Sequence, residues 1–124
     1  MAIRDKVYEF IKNEYNVMPE ILWPDYPKDV VFRNKSNKKW FAIMMNVSKS
    51  KLGLKGEQKV DIINTKCDPL AVYMFIQDKG ILPAYHMNKN HWVSILLDES
   101  CDLNKVFFMI EQSYNLIQKQ KDKK

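Results

Sequence analysis

Apolar residues recur along this chain first at helical and then at alternating spacing. Ile3, Val7, Phe10, Ile11 and Tyr15 fall on one stripe of a 3.6-residue repeat with charged residues opposite, which predicts an amphipathic helix over residues 2–15 that covers a sheet. In the following VMPEILWPDYPKD, Pro19, Pro24 and Pro27 forbid a regular element, so the segment reads as an ordered connector whose Trp23 and Tyr26 pack onto the core. VVFRN at 30–34 and WFAIMMNV at 40–47 have strand composition, and the polar KSNKK between them makes a hairpin with a lysine-studded tip. A polar loop, SKSKLGLKGEQ at 48–58, leads into KVDIINTKC, a third strand in which Val60, Ile62 and Asn64 alternate with outward residues.

Asp68 is a good N-cap, Pro69 suits the first helical position and Gly80 the residue past the end, predicting a short helix over 69–79 with Val72, Phe75 and Ile76 on its apolar face. ILPAYHM and HWVSILL then read as two strands joined at NKN, where Asn88 and Asn90 tolerate the left-handed conformations of a tight turn. After Asp102, the spacing of Leu103, Val106, Phe107, Ile110, Tyr114 and Ile117 predicts a last helix, and KQKDKK at 119–124 is a basic, frayed tail. The order α-β-β-β-α-β-β-α makes residues 1–118 a single α+β domain, with an antiparallel sheet of about five strands and helices packed on it.

Composition changes this picture little. A chain of 124 residues with 46% hydrophobic and 28% charged residues suits one globular core. No apolar run approaches a membrane span, and Met1 to Asn16 lacks the apolar centre of a signal peptide, so the cytoplasm and no membrane partner are expected. Cys67 and Cys101 form no C-x-x-C arrangement and read as reduced, structural thiols. Met44, Met45, Met74 and Met109 read as core fillers.

Charge adds one feature. Of the formal +5, residues 28–60 carry nine basic and two acidic side chains, whereas 61–118 carry four and seven. The basic block is an electrostatic footprint for phosphate backbones, and equally a solvated face.

The stretch AYHMNKNHWVSI at 84–95 gathers the candidate chemistry. With Asn88 and Lys89 as central turn residues, His86 and His91 would face each other across the hairpin. Two imidazoles fall short of a zinc site, and the chain has no third histidine, so no metal is expected. Ser94 or Cys67 with either histidine would make a nucleophile and base, but in no recognised local arrangement. Asp68 and Asp102 are explained as helix caps and Asp98 and Glu99 as turn residues, and three glycines leave no phosphate loop. The expectation is a non-enzyme without cofactor.

The run CDP at 67–69, GILPAYHMNKNHW at 80–92, LLD at 96–98 and SYNL at 113–116, with FR at 32–33 and KWFA at 39–42, closely resembles the MmcQ/YjbR family of small bacterial proteins. The resemblance spans nearly the whole chain, and its specificity lies in P-A-Y-H-M-N-K-x-H-W. It implies an α+β fold related to frataxin-like and secretion-chaperone-like folds, and DNA binding through a double-wing arrangement of loops. Carried onto this chain, the family motif is Tyr85, His86, Asn88, Lys89, His91 and Trp92. The wings would be the hairpin tip with Arg33, Lys35, Lys38 and Lys39, and the next loop with Lys49, Lys51 and Lys55, joined by Lys89. Asn90 stands where the family often has a basic residue, which removes a charge from the NKN turn. The resulting expectation is a monomeric, non-enzymatic DNA-binding protein of low sequence specificity. The alternatives are a protein-interaction adaptor or chaperone-like module, and a small ligand-binding or enzymatic domain centred on Tyr85, His86 and His91.

Overall fold

The computed structural model describes the backbone of residues 2–122 and the side chains of 2–118. Its elements follow the predicted order: α1 (Ile3–Tyr15), β1 (Val30–Arg33), β2 (Trp40–Ser48), β3 (Lys59–Lys66), α2 (Pro69–Phe75), β4 (Ile81–Pro83), β5 (Trp92–Leu96) and α3 (Leu103–Asp122). The strands form one five-stranded antiparallel sheet in the order β1-β2-β3-β5-β4. β3 is thus central, and the crossover through α2 carries the chain to the far edge. The backbone of α3 continues into the expected frayed tail, 119–124, of which residues 123 and 124 and all the side chains lie outside the described residues.

The principal core lies between the sheet and the helices. Phe32, Phe41, Met44, Ile63 and Ile95 from the strands meet Val7, Ile11, Met109 and Ile110 from α1 and α3. The two helices are joined by stacked rings, Phe10 on Phe107 at 4.2 Å and Tyr15 on Tyr114 at 4.1 Å, while Phe41 drives its ring against Tyr15 and Tyr114 edge to face. Ser113 fastens α3 to the sheet by donating to the Phe41 carbonyl and accepting from Lys66 N–H at 2.8 Å.

Several expectations are corrected here. In β3 the residues set between Val60, Ile62 and Asn64 do not face outward. Ile63 and Thr65 are buried beside Ile62 and Asn64, because a central strand has both faces covered. α2 is capped by Asp68, whose carboxylate accepts from Leu70 N–H at 2.9 Å, but it ends at Phe75 instead of residue 79. The chain turns from Ile76 to Gly80, whose φ of +87° and whose missing Cβ, which would lie 2.8 Å from Cys101 Cβ, both demand glycine. Met74 is exposed on the outer side of α2 and fills no core. The 48–58 loop contains a 3-10 turn over Lys49–Leu52, closed by Gly53.

The connector of residues 17–29 buries Val17 and pairs Glu20 with Val31 at the edge of β1, but leaves Trp23 and Tyr26 exposed. Their aromatic bulk belongs to the second face of the sheet. There Ile43, Met45, Ile62, Trp92 and Leu96 form a smaller cluster covered by loops: Leu52 and Leu54 from one side, Tyr85 and Met87 from the other. This loop-covered side is the open face of the sheet.

Candidate functional site

Sheet topology divides the predicted lysines. The β1–β2 turn (34–39) and the β4–β5 loop (84–91) lie at one end of the sheet, and the β2–β3 loop (49–58) lies at the other. At about 3.3 Å per residue, β2 holds the two ends about 26 Å apart. Lys35, Lys38, Lys39 and Lys89 therefore gather at the first end and Lys49, Lys51 and Lys55 at the second. The two predicted wings are thus clusters at opposite ends of the sheet, joined by Lys66 at the first end and Lys59 at the second.

The β1–β2 turn is not a loose wing. Buried Asn34 accepts from Ser36 N–H at 2.8 Å and donates to Gln118 Oε1 at 2.9 Å, and Asn37 donates to the Ile117 carbonyl at 3.1 Å. These bonds pin the tip against α3, on the helix side of the sheet. Arg33 is engaged as well: Nε donates to both Glu20 oxygens at 3.0 and 3.2 Å, Nη1 donates to the Lys38 carbonyl, and the guanidinium lies over the Trp40 ring. Its place among the DNA-contacting candidates is thus weakened by a structural role. Lys66 is held below its usual pKa by burial and then by the neighbouring Lys39 ammonium, a local excess of positive charge that an anion would relieve.

The hairpin expected at 84–95 is only half present. β4 stops at Pro83, paired with Val93, and that register, if continued, would set His86 opposite Asn90 instead of His91. His86 takes the left-handed conformation, φ 60°, in place of Asn88 and Asn90. Asn88 instead makes a local turn, accepting from Asn90 N–H on its side chain at 2.8 Å and from His91 N–H on its carbonyl at 3.1 Å. No strand pairing sets the two imidazoles opposite each other, and among the described residues no group of three or more His, Cys, Asp or Glu side chains could hold a metal.

What positions this loop is a buried polar pair that the motif does not advertise. Asn64 and Ser94 are register partners on β3 and β5, both fully buried on the open face. Asn64 Nδ2 donates to the Tyr85 carbonyl at 3.0 Å, Tyr85 N–H donates to Ser94 Oγ at 2.8 Å, and Ser94 Oγ donates to Asn64 Oδ1. Both backbone groups of Tyr85 are thereby satisfied where strand pairing has ended. The same bonds remove Ser94 as a nucleophile. The sequence signal was a polar residue at an inward register of an otherwise apolar strand.

Held this way, Tyr85 stacks on His86 at 3.9 Å and forms one wall of a cleft of about 480 Å³ in the open face. Trp23 and Trp40, which meet edge to face at 6.2 Å, line it as well, together with Ile43, Met45, Lys51 and Lys59. Of the motif residues, Tyr85 and His86 line this cleft, Asn88, Lys89 and His91 are exposed, and Trp92 is buried beneath the loop. The sequence pattern packs Trp23 and Tyr26 onto the core and does not single out Asp29 or Lys59.

Cys67 and Cys101 are free and buried, and burial pushes both thiols above their usual pKa. A raised folded-state pKa favours the protonated form, so this contribution to stability is present at neutral pH and is lost as pH rises through 9.0 and beyond. Both thiols are expected to react slowly with an aromatic disulfide reagent in the native protein at pH 8, and at once after unfolding. Fast native labelling would contradict their burial.

The sequence profile of the family YjbR matches residues 14–116. The uncharacterized protein YyaQ of Bacillus subtilis (strain 168) is 39% identical over 116 residues, covering 94% of this chain and 98% of that one. A crystal structure of a protein from Pseudomonas syringae superposes with a TM-score of 0.89 at 34% identity, covering 91% of this chain and 97% of that one. The Deinococcus radiodurans protein DR2400 shares the fold, with a TM-score of 0.71 at 21% identity over 96% of this chain and 80% of that one. Among the described residues no helix is long and apolar enough to cross a membrane.

Proposed function

The chain belongs to the YjbR family, and from that premise we propose that it is a non-enzymatic DNA-binding module of low sequence specificity, whose phosphate contacts come from the two loops flanking the open face. The observation that carries this reading is that loops 49–58 and 84–91 both fold onto the open face and bring lysines to opposite ends of it. Lys49, Lys51 and Lys55, with Lys59, serve one end and Lys89 the other. Lysines contacting phosphates give affinity without reading bases. The pinned 34–39 turn, with Lys35, Lys38 and Lys39, supplies a fixed positive surface beside Lys89 instead of a moving wing.

The test is fluorescence anisotropy of a labelled duplex at several salt concentrations. The logarithm of affinity should fall linearly with the logarithm of salt, and the double variant Lys51→Glu, Lys55→Glu should flatten the slope by about 2. Unchanged binding would take this loop out of the interface. No binding at low salt would leave the lysines as a solvated face.

A protein-interaction role is favoured by a separate observation: α2 turns Leu70, Tyr73 and Met74 to solvent, the first at 94% exposure. Polar replacement of all three, with DNA binding retained and a partner in nuclease-treated extract lost, would select that reading. Loss of neither activity would reject it.

A further inference from the structure

We propose that the open-face cleft takes a nucleobase, stacked on the Trp23–Trp40 corner. The base comes either from an unpaired position in a strand or from a free nucleotide. The strand form rests on the DNA-binding reading above; the free-nucleotide form does not.

The size of the cleft, about 480 Å³, falls within the range of about 300–1,000 Å³ typical of small-molecule sites. Its walls are flat: two tryptophan rings at 86° to each other present a corner, and Tyr85 stacked on His86 closes the opposite side. Stacking is indifferent to base identity, which agrees with low sequence specificity.

Polar groups narrow the guest further. Asp29 lines the cleft at 8% exposure, and its Oδ1 accepts from the Asn46 backbone N–H at 3.1 Å, which fixes the carboxylate. A largely buried carboxylate gains from a guest that donates N–H, as the ring nitrogens and exocyclic amines of bases do, and loses from one that only displaces water. An acyl chain would suit Ile43 and Met45 but would offer Asp29 nothing. Lys51 and Lys59 line the cleft at the end of β2 opposite Trp40 and make its field favourable to an anionic ligand.

The experiment titrates the full chain with a single-stranded oligonucleotide, a blunt duplex of the same length and a mononucleotide, following both anisotropy and intrinsic tryptophan fluorescence. The variants are Trp23→Ala, on the exposed connector, and Asp29→Asn, which keeps the oxygen that accepts from Asn46. Single strand and mononucleotide should quench the fluorescence, and each variant should weaken both by about tenfold to a hundredfold. Duplex affinity and its salt slope should stay unchanged. Duplex binding without any effect of either variant on the other two ligands would overturn the base site and leave the phosphate reading standing. Variant-sensitive quenching by the mononucleotide without duplex binding would support the base site and overturn the phosphate reading. Should Trp23→Ala fail to fold, Asp29→Asn alone carries the decision.

Discussion

Replacing Phe41 by alanine is expected to destabilise the fold by about 3–5 kcal/mol, the cost of removing a fully buried aromatic ring together with the cavity it leaves. Phe41 is inaccessible to solvent and touches the rings of Tyr15, Phe32 and Tyr114, so its loss opens a void where α1, α3 and the sheet converge. Collapse is resisted because Ser113 ties α3 to the Phe41 carbonyl and holds the backbone in place whatever the side chain. Native domains of this size retain about 5–15 kcal/mol in total, so the variant should remain folded with a melting temperature lowered by about 10 °C or more. Met74→Ala, on the exposed side of α2, should move stability by no more than about 0.5 kcal/mol. Chemical denaturation of both variants checks the contrast. Equal, small losses would mean that the helices do not pack on β2 as described.

The same residues show what the sequence made legible and why. Helical stripes such as Ile3, Val7 and Ile11, and caps such as Asp68 and Asp102, depend on neighbours within a few positions, and they led to the right elements and order. The family likeness was legible because its uncommon residues sit in one short run. Three things depended on pairings distant in sequence and were misplaced. The first was the inner side of β3, since only the sheet order shows that both of its faces are covered. The second was the distance between the two predicted lysine loops, which the direction of β2 sets at opposite ends of the sheet. The third was the connector, whose tryptophan and tyrosine are aromatic enough for a core but are held at a cleft by a bridge from Glu20 to Val31. The His86 and His91 pairing failed for a local reason, because Asn88 captures the turn one residue away from the assumed register.

Removing the carboxamide of Asn64 is expected to have the second-largest effect, because it severs the support of the whole 84–91 loop. In Asn64→Ala the Tyr85 carbonyl and the Ser94 hydroxyl each lose a partner in a buried setting, at about 1–3 kcal/mol for each group left unsatisfied. Ser94→Ala removes the acceptor of Tyr85 N–H and should cost about 1–3 kcal/mol on its own. The three groups form one closed network, so the double variant should cost less than the two single losses added together, with a coupling of at least about 0.5 kcal/mol. Hydrogen exchange supplies the readout that separates support of the loop from general destabilisation. Protection of the Tyr85 and His91 amides should collapse while that of Ile63, in the helix-covered core, falls only by the global loss of stability. Strictly additive losses, with all three amides changing alike, would mean that Asn64 and Ser94 merely fill space. The stacked Tyr85–His86 wall of the cleft would then be positioned by something other than this pair.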